Sequence, residues 1–536
     1  LKQQHRYQSS QAVAKSWFTH MTKRSKTEEA GKKAKSSNEP TAVKSSITST
    51  VDFYRDDLPR TLFPLRTNLF LIENGEADIQ AFIEKCLDAE EKAHAFLPQR
   101  RVYAAKPSFH LRRTVKLDVV SEYYLYDVVF KNRAKFRKPF SDHRRHFGYR
   151  FDSGTPISAT SAYRAFKSAI AQYSSEFKHF ISLDVASYFN SVYHHDLVNW
   201  IRELGVDEDE VNGFGQMLRE INSGRSVDCL PQGLYPAKMI GNDFLRFVEN
   251  YHGIKSDRVI RFMDDIYLFS NSEQTIMNDF TLVQTILGDK GLSINPQKTS
   301  RTSAQHVNLE KQIDKAKEDL LRKRRLILEV GYGDQAETKE FLLRTPLTKE
   351  EVSYLTQILA QPEIDEEDAE LILTMMRENT KKVEARLPDI IQQFPNLSKS
   401  VHSFCSGIKD KEALADILVD ILEKSARLLE FQLFWFAAIL EDHLMSTSKT
   451  SALIDLIFNH PSATPITKAR VLEIMDARFG LTELRASILS TGQSDWLGWA
   501  SAVGSRSLKP GSRNHTLKYF GNCSQINHLI ATIVMK

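Results

Sequence analysis

The sequence lacks the features that would mark a membrane protein, a disulfide-stapled fold or a zinc protein. No uninterrupted apolar run reaches membrane-spanning length, so no transmembrane helix is expected. Only four cysteines occur in 536 residues (Cys86, Cys229, Cys405 and Cys523), and they lie far apart with no Cys-x-x-Cys and no histidine cluster. That spacing excludes a disulfide framework and a Cys/His zinc site, and it suits a reducing cytoplasm. The first residues are charged and carry no apolar stretch of the secretory kind, so no signal peptide is expected there. A His-x-x-Asn-His nuclease motif is also missing.

Net charge is nearly absent too, at +4, but its distribution is uneven. Residues 1–50 hold ten Lys/Arg against Glu28, Glu29 and Glu39, a balance of +7. Residues 100–150 hold fourteen against Asp118, Glu122, Asp127 and Asp142, a balance of +10, which leaves −13 for the remainder. Basic charge gathered in two blocks points to a polyanionic partner. The first block, with Lys32-Lys33-Ala34-Lys35, reads as a flexible basic segment. From about residue 51 the chain becomes globular, and its 41% apolar content is enough for several cores.

The most informative stretch is Val259-Ile260-Arg261-Phe262-Met263-Asp264-Asp265-Ile266-Tyr267-Leu268-Phe269. Two short runs of β-branched and aromatic residues flank adjacent carboxylates, predicting a tight hairpin with acids at its tip. Alternation sets Ile260, Phe262 and Asp264 on one face. Neighbouring like charges are costly unless compensated, and a divalent cation is the usual compensation. A second pair, Asp56-Asp57, is expected in a loop.

Upstream, Phe180 to Asp184 reads as a buried strand ending in an acid, followed after four residues by Phe189. Cys229-Leu230-Pro231-Gln232-Gly233-Leu234 makes a constrained loop before an apolar helix over about 237–251, and Gly233 permits close backbone approach. Downstream, Leu287-Gly288-Asp289-Lys290-Gly291 leads to Asn295-Pro296-Gln297-Lys298. The basic block around Lys106, Arg112 and Arg113 interleaves cations with strand formers, so it could clamp a triphosphate or track a nucleic-acid backbone. A helix is predicted over about 118–132. The last two-fifths are read as helical throughout, with apolar stripes such as Leu414, Leu418, Ile421 and Phe431, Phe434, Trp435; Trp496 and Trp499 are read as core.

In this order and spacing the four pieces resemble motifs A, B, C and D of the reverse transcriptase palm, over about residues 100–300. Phe147-Gly148-Tyr149-Arg150 is similar to the Gly-aromatic-Arg that ends a fingers motif in group II intron and related bacterial enzymes. The resemblance implies an α+β fold with fingers and palm over 51–305, after the basic segment 1–50. It implies that Asp184, Asp264 and Asp265, with the Val185 carbonyl, bind two Mg2+ ions for dNTP chemistry. It also implies that Phe189 is the steric gate against ribose, and that Gln232 and Gly233 contact the nucleotide or template. Lys298 would protonate pyrophosphate, and Lys106 with Arg112 or Arg113, Arg113 preferred, would hold the triphosphate. The sequence departs from the family after Lys298. No Phe-Leu-Gly-like primer-grip hairpin follows, and the chain is read as running into a charged helix.

Residues 306–536 are read as an all-α domain of HEAT-like repeats. A palm joined to such a tail resembles the bacterial abortive-infection and defence-associated reverse transcriptases. That resemblance implies untemplated, protein-primed DNA synthesis in anti-phage defence, a homo-oligomer in the bacterial cytoplasm, and nucleic acid (a DNA product, a non-coding RNA) as partner, with no membrane. Tyr332, Tyr354 and Tyr519 are the tyrosines noted in the C-terminal half, and none is singled out as primer. A retron-like or intron-like enzyme copying one RNA, and an RNA-binding scaffold with a palm fold, are the alternatives.

Overall fold

A computed structural model describes residues 47–303, 320, 347–425 and 427–536. All but the last four residues of the basic 1–50 segment, and Tyr332, lie outside the described residues.

Helix α1 (Thr50–Asp57) starts where Ser49 Oγ accepts the Asp52 N–H at 3.0 Å. The Asp56-Asp57 pair expected in a loop instead closes this helix. Asp57 is buried and accepts from Tyr126 Oη at 2.6 Å and from the Tyr235 N–H at 2.7 Å. Helix α2 (Arg66–Leu87) runs for 22 residues and passes a non-helical Gly75. Strands β1 (Arg100–Ala105) and β2 (Leu111–Lys116) form the antiparallel fingers hairpin. Helix α3 (Val119–Lys131) follows, with Asp118 Oδ1 accepting the Val120 and Ser121 N–H groups as N-cap.

The palm is a five-stranded sheet. Its strands are β3 (Arg144–Phe147), β4 (His179–Asp184), β5 (Arg258–Phe262), β6 (Asp265–Ser270) and β7 (Ser300–Ser303), in the order β3-β5-β6-β4-β7. Among the described strands only the β3–β5 pairing is parallel. Period-two alternation sorts its side chains. Ile181, Leu183, Val259, Ile266 and Leu268 enter the main core on one face. Phe180, Ile260 and Phe269 on the other face meet Phe166 and Tyr173 of α4 (Ala159–Glu176). The helix predicted over 237–251 is shorter, α5 (Tyr235–Phe244), and a break at Leu245 precedes a single turn at Arg246–Glu249. Between Lys298 and the expected charged helix, residues 300–303 form the edge strand β7, hydrogen-bonded to β4. The residues after it lie outside the described set.

From residue 347 the described residues contain helices and no strand. Alternate helices pack on one another. One row runs Glu366–Met375, Ser398–Cys405, Glu430–Ile439, Pro465–Leu472, Trp496–Gly504 and Gln525–Met535. The other includes Lys411–Lys424 on Thr450–Asn459 and Leu481–Ser490 on Pro510–Gly521. Part of this array has its own core, but Phe431, Phe434, Trp496, Trp499, Ile530 and Ile533 share a core with the fingers. Both tryptophans are buried, as read from the sequence. Among the described residues no helix is long and apolar enough to cross a membrane. All four cysteines are free.

Candidate active site

The β5–β6 hairpin turns through Met263 and Asp264, with Met263 in the left-handed region at φ +56°. Asp265 opens β6 directly opposite Asp184, the last residue of β4. The Val185 N–H donates to the Asp264 carbonyl at 3.3 Å, so the turn is laced to the end of β4. The segment before Lys298 runs beside that end. The Ala186 N–H donates to Ser293 O at 2.8 Å and the Asn295 N–H to Asp184 O at 2.7 Å. Lys298 is thereby delivered to Asp184, its Nζ donating to Oδ1 at 2.8 Å.

Burial, then the neighbouring Asp184 and Asp265, push the Asp264 carboxyl up to about 6. Burial and Asp184 raise Asp265 as well. The hydrogen bond to Asp184 holds the Lys298 ammonium above its ordinary value. The predicted set Asp184, Val185, Asp264 and Asp265 is thus brought together. Among the described residues, however, no three His, Cys, Asp or Glu side chains stand in a ready-made metal cage. Two buried carboxylates whose proton affinity is raised beside a third, at a site with one adjacent ammonium, form the donor set a hard divalent cation relieves.

The fingers bring cations to this cluster. The hairpin tip turns at Ser108 and Phe109, both with positive φ (55° and 60°). Strand alternation then sends Arg112 and Arg113 to opposite sides. Arg112 is half-buried and interacts electrostatically with Asp264 and Tyr149, while burial lowers its basicity; its Nε is buried with no hydrogen-bond partner among the described residues. Lys106 is depressed by partial desolvation and then by Arg112 and Lys298, with Asp184 and Asp264 pulling the other way. The preference for Arg113 is therefore corrected. Arg113 Nη2 lies 3.6 Å from Asp228 Oδ1, on the far side of the strand. Asp228 was not singled out from the sequence. Buried and at φ +71°, it also receives Arg101 Nε at 3.3 Å and Asn190 Nδ2 at 2.7 Å. Its only sequence signal is an acid set just before Cys229-Leu230-Pro231.

Phe189 is buried two residues after the left-handed Ser187 and meets Tyr188 edge-on at 5.4 Å. A Cβ on Gly241 would stand 3.4 Å from its Cε1, so α5 presents bare backbone to the ring. The Gln232 carbonyl accepts Thr114 Oγ1 at 2.5 Å, tying the loop to β2. Gly233 sits at φ +116°, a conformation that favours glycine, and a Cβ there would come 3.1 Å from Leu62 Cγ, which would have to shift. Tyr149 packs between Phe262 (5.8 Å) and Tyr235 (5.3 Å), and its phenol is pushed up to about 12, chiefly by burial.

Residues 132–359 match the sequence profile of the reverse transcriptase (RNA-dependent DNA polymerase) family. The chain carries a reverse transcriptase domain. Reverse transcriptase, a DNA nucleotidyltransferase, is thus the enzyme class of the domain, whose family uses divalent metal ions and dNTPs and binds nucleic acid. The match takes in Asp184, Phe189, Gln232, Asp264 and Lys298 and begins after the fingers hairpin. No curated protein matches the chain. Among solved structures, the telomerase of Candida albicans in complex with a fragment of telomeric RNA is 11% identical, with a TM-score of 0.29; the alignment covers 73% of this chain and 65% of that one. This chain thus spans less than two thirds of that telomerase. The apo telomerase of Candida tropicalis is 10% identical over 80% of this chain and 73% of that one, with a TM-score of 0.31.

Proposed function

We propose that the chain polymerises DNA at the end of β4 and the β5–β6 turn. The observation that carries this reading is the register of Asp184 against Asp265, with Asp264 at the turn and Arg112, Lys106 and Lys298 facing them. Asp184, Asp264 and the Val185 carbonyl, with Asp265 adjacent, would hold two Mg2+ ions. Bound there, the ions would acidify the attacking 3′-hydroxyl and neutralise the triphosphate. Arg112 and Lys106 orient the phosphates through charge-assisted hydrogen bonds. Phe189 fills the space under the sugar, and Lys298 supplies a proton to departing pyrophosphate. Gln232 and Gly233 set the loop against the nucleotide or template.

The wider assignment is a defence-associated reverse transcriptase of the abortive-infection kind, working as a homo-oligomer in the bacterial cytoplasm. The alternate packing of the C-terminal helices supports a helical-repeat, HEAT-like domain. The sequence after Lys298, without a primer-grip motif, supports untemplated synthesis primed by the protein, since a tethered hydroxyl gains effective concentration. The test is incubation of purified protein with labelled dNTPs and Mg2+ and no template, resolved on a denaturing gel before and after protease. Label that stays with the polypeptide and is released as short peptide-DNA supports the reading. Free DNA made only when RNA is added supports the retron-like alternative, and no incorporation under any condition supports the scaffold.

A further inference from the structure

Directly behind the catalytic turn lies a buried arginine that neither the nucleotide chemistry nor the family motifs use. Arg261, in β5, has no exposed surface, and all five of its N–H donors are engaged. Nε donates to Glu249 Oε2 at 2.8 Å and Nη2 to Glu249 Oε1 at 2.9 Å, a two-pronged pair. Nη2 also donates to the Asn242 carbonyl at 2.8 Å, and Nη1 to Asn242 Oδ1 at 3.1 Å. The remaining Nη1 hydrogen goes to the Met263 carbonyl at 2.9 Å. Burial works against a charged Glu249, but Arg261 and then His146, whose Nδ1 stands 3.2 Å away, hold its carboxyl at about 2.

The contact with Met263 sets it apart from an ordinary core ion pair. Met263 is the left-handed residue of the turn (φ +56°), a conformation that costs a residue with a side chain on the order of 1 kcal/mol or more. Something must hold it there, and Arg261 grips its carbonyl from inside. A trans peptide is planar, so a carbonyl drawn inward aims the N–H of the same unit outward. That N–H belongs to Asp264 and lies within hydrogen-bond reach of the Asp264 carboxylate. The other carbonyl of the turn, that of Asp264, is taken by Val185.

We infer that Arg261 is a positioning residue: through the Met263 carbonyl it fixes the turn and so the direction in which Asp264 presents its carboxylate to a divalent cation. This rests on the two-carboxylate reading of the site. Glu249 and Asn242 hold the guanidinium, so the apolar face of the palm core carries a polar device built to orient one peptide plane. A lysine at 261 keeps the charge but has no planar fork to serve Glu249, Asn242 and Met263 together.

The experiment measures Mn2+ binding to the full chain, without nucleotide, from the free-ion signal in electron paramagnetic resonance. The variants are Asp264→Asn, Arg261→Lys and Arg261→Met combined with Glu249→Met, with Arg470→Lys as a control for loss of a buried arginine. Arg470 is equally enclosed, pairing with Glu441 and with Glu473 at 3.0 Å, far along the chain from the palm. The double variant removes both partners of the ion pair and so guards against an unpaired buried charge. Wild type should bind Mn2+ and Asp264→Asn should lose it. Arg261→Lys and the double variant should bind about tenfold more weakly, the scale of losses when a ligand's support is removed. Arg470→Lys should lower thermal stability and leave Mn2+ affinity unchanged. Wild-type affinity in a folded Arg261→Lys or in the double variant would overturn the inference. Failure of Asp264→Asn to alter Mn2+ binding would instead overturn the metal-site reading beneath it.

Discussion

Asp264→Asn separates the electrostatic reading of the site from a merely structural one, because it should kill activity while stabilising the fold. The Asp264 carboxyl is raised from 3.8 to about 6 by burial and by Asp184 and Asp265. A folded-state value above the unfolded one means the folded chain holds its proton more tightly. The favourable contribution is complete below about pH 3.8 and is lost as pH rises through about 6. Two units correspond to about 3 kcal/mol, which the ionised carboxylate costs the metal-free fold above neutrality. Asparagine keeps the shape without the charge. In denaturant titrations with EDTA, the variant should therefore gain about 1 kcal/mol over wild type at pH 4.5 and about 3 kcal/mol at pH 8. Added Mg2+ should stabilise wild type and leave the variant unmoved, since only a site that binds the ion gains by mass action. A variant no more stable than wild type at pH 8, or equally advantaged at both pH values, would refute the repulsion argument. Nucleotide incorporation at the wild-type rate would refute the catalytic one.

Phe189→Ala should lower the dNTP-to-rNTP preference at least tenfold, about 1.4 kcal/mol of discrimination, read from paired kcat/KM values; an unchanged ratio would make Phe189 core alone. Arg112→Ala should raise the KM for dNTP by about tenfold or more, while Arg113→Ala stays within about threefold, because only Arg112 faces Asp264; the reverse order would place the hairpin in the other register. Gly75→Ala should cost about 1–3 kcal/mol, because its Cβ would come 2.3 Å from Ile533 Cδ1. Combining it with Ile533→Ala should recover part of that loss, and strict additivity in the double-mutant cycle would mean that the last helix does not lie on α2.

The palm was legible because its chemistry is written into short-range periodicity. Strand alternation broken by Asp264-Asp265, an acid ending the Phe180–Asp184 strand, and Lys298 after a Pro turn each depend on neighbours a few residues away. Choosing between Arg112 and Arg113 could not be done that way. Which of two adjacent side chains faces the site depends on the hairpin register, set by the left-handed pair Ser108 and Phe109, residues that prefer other conformations. Asp57 was misread for a similar reason. Its partners, Tyr126 and Tyr235, lie far along the chain, so nothing local marked it as a buried acceptor. Strand β7 was missed because Ser300-Arg301-Thr302-Ser303 has no apolar alternation, and its pairing with β4 lies in the backbone. Asp228 escaped because its role is to gather groups from β1, β2 and the turn after β4.

The shared core changes how the fingers work. A hairpin that brings Lys106 and Arg112 to a phosphate site can do so by swinging in or by being held in place. Here one tie holds the hairpin itself and several more hold the segment of residues 59–67. The Tyr103 N–H of β1 donates to Glu430 Oε2 at 3.0 Å, and Phe63 meets Phe431 and Phe434 edge-on at 5.7 and 5.1 Å. Lys399 Nζ donates to the Pro59 carbonyl at 2.7 Å, and Glu473 takes the Thr67 N–H and hydroxyl at 2.6 and 2.7 Å. Each of these partners belongs to the C-terminal helices or, for Glu473, caps one, and the two bonds to Glu473 are buried, where hydrogen bonds are hard to exchange for water. Moving the fingers would break several at once, and leaving a buried acceptor unpaired costs about 1–3 kcal/mol each time. The cations facing Asp264 are therefore held at their stations by the helical array. The array is part of the candidate site's architecture, although none of its described residues joins the carboxylate cluster.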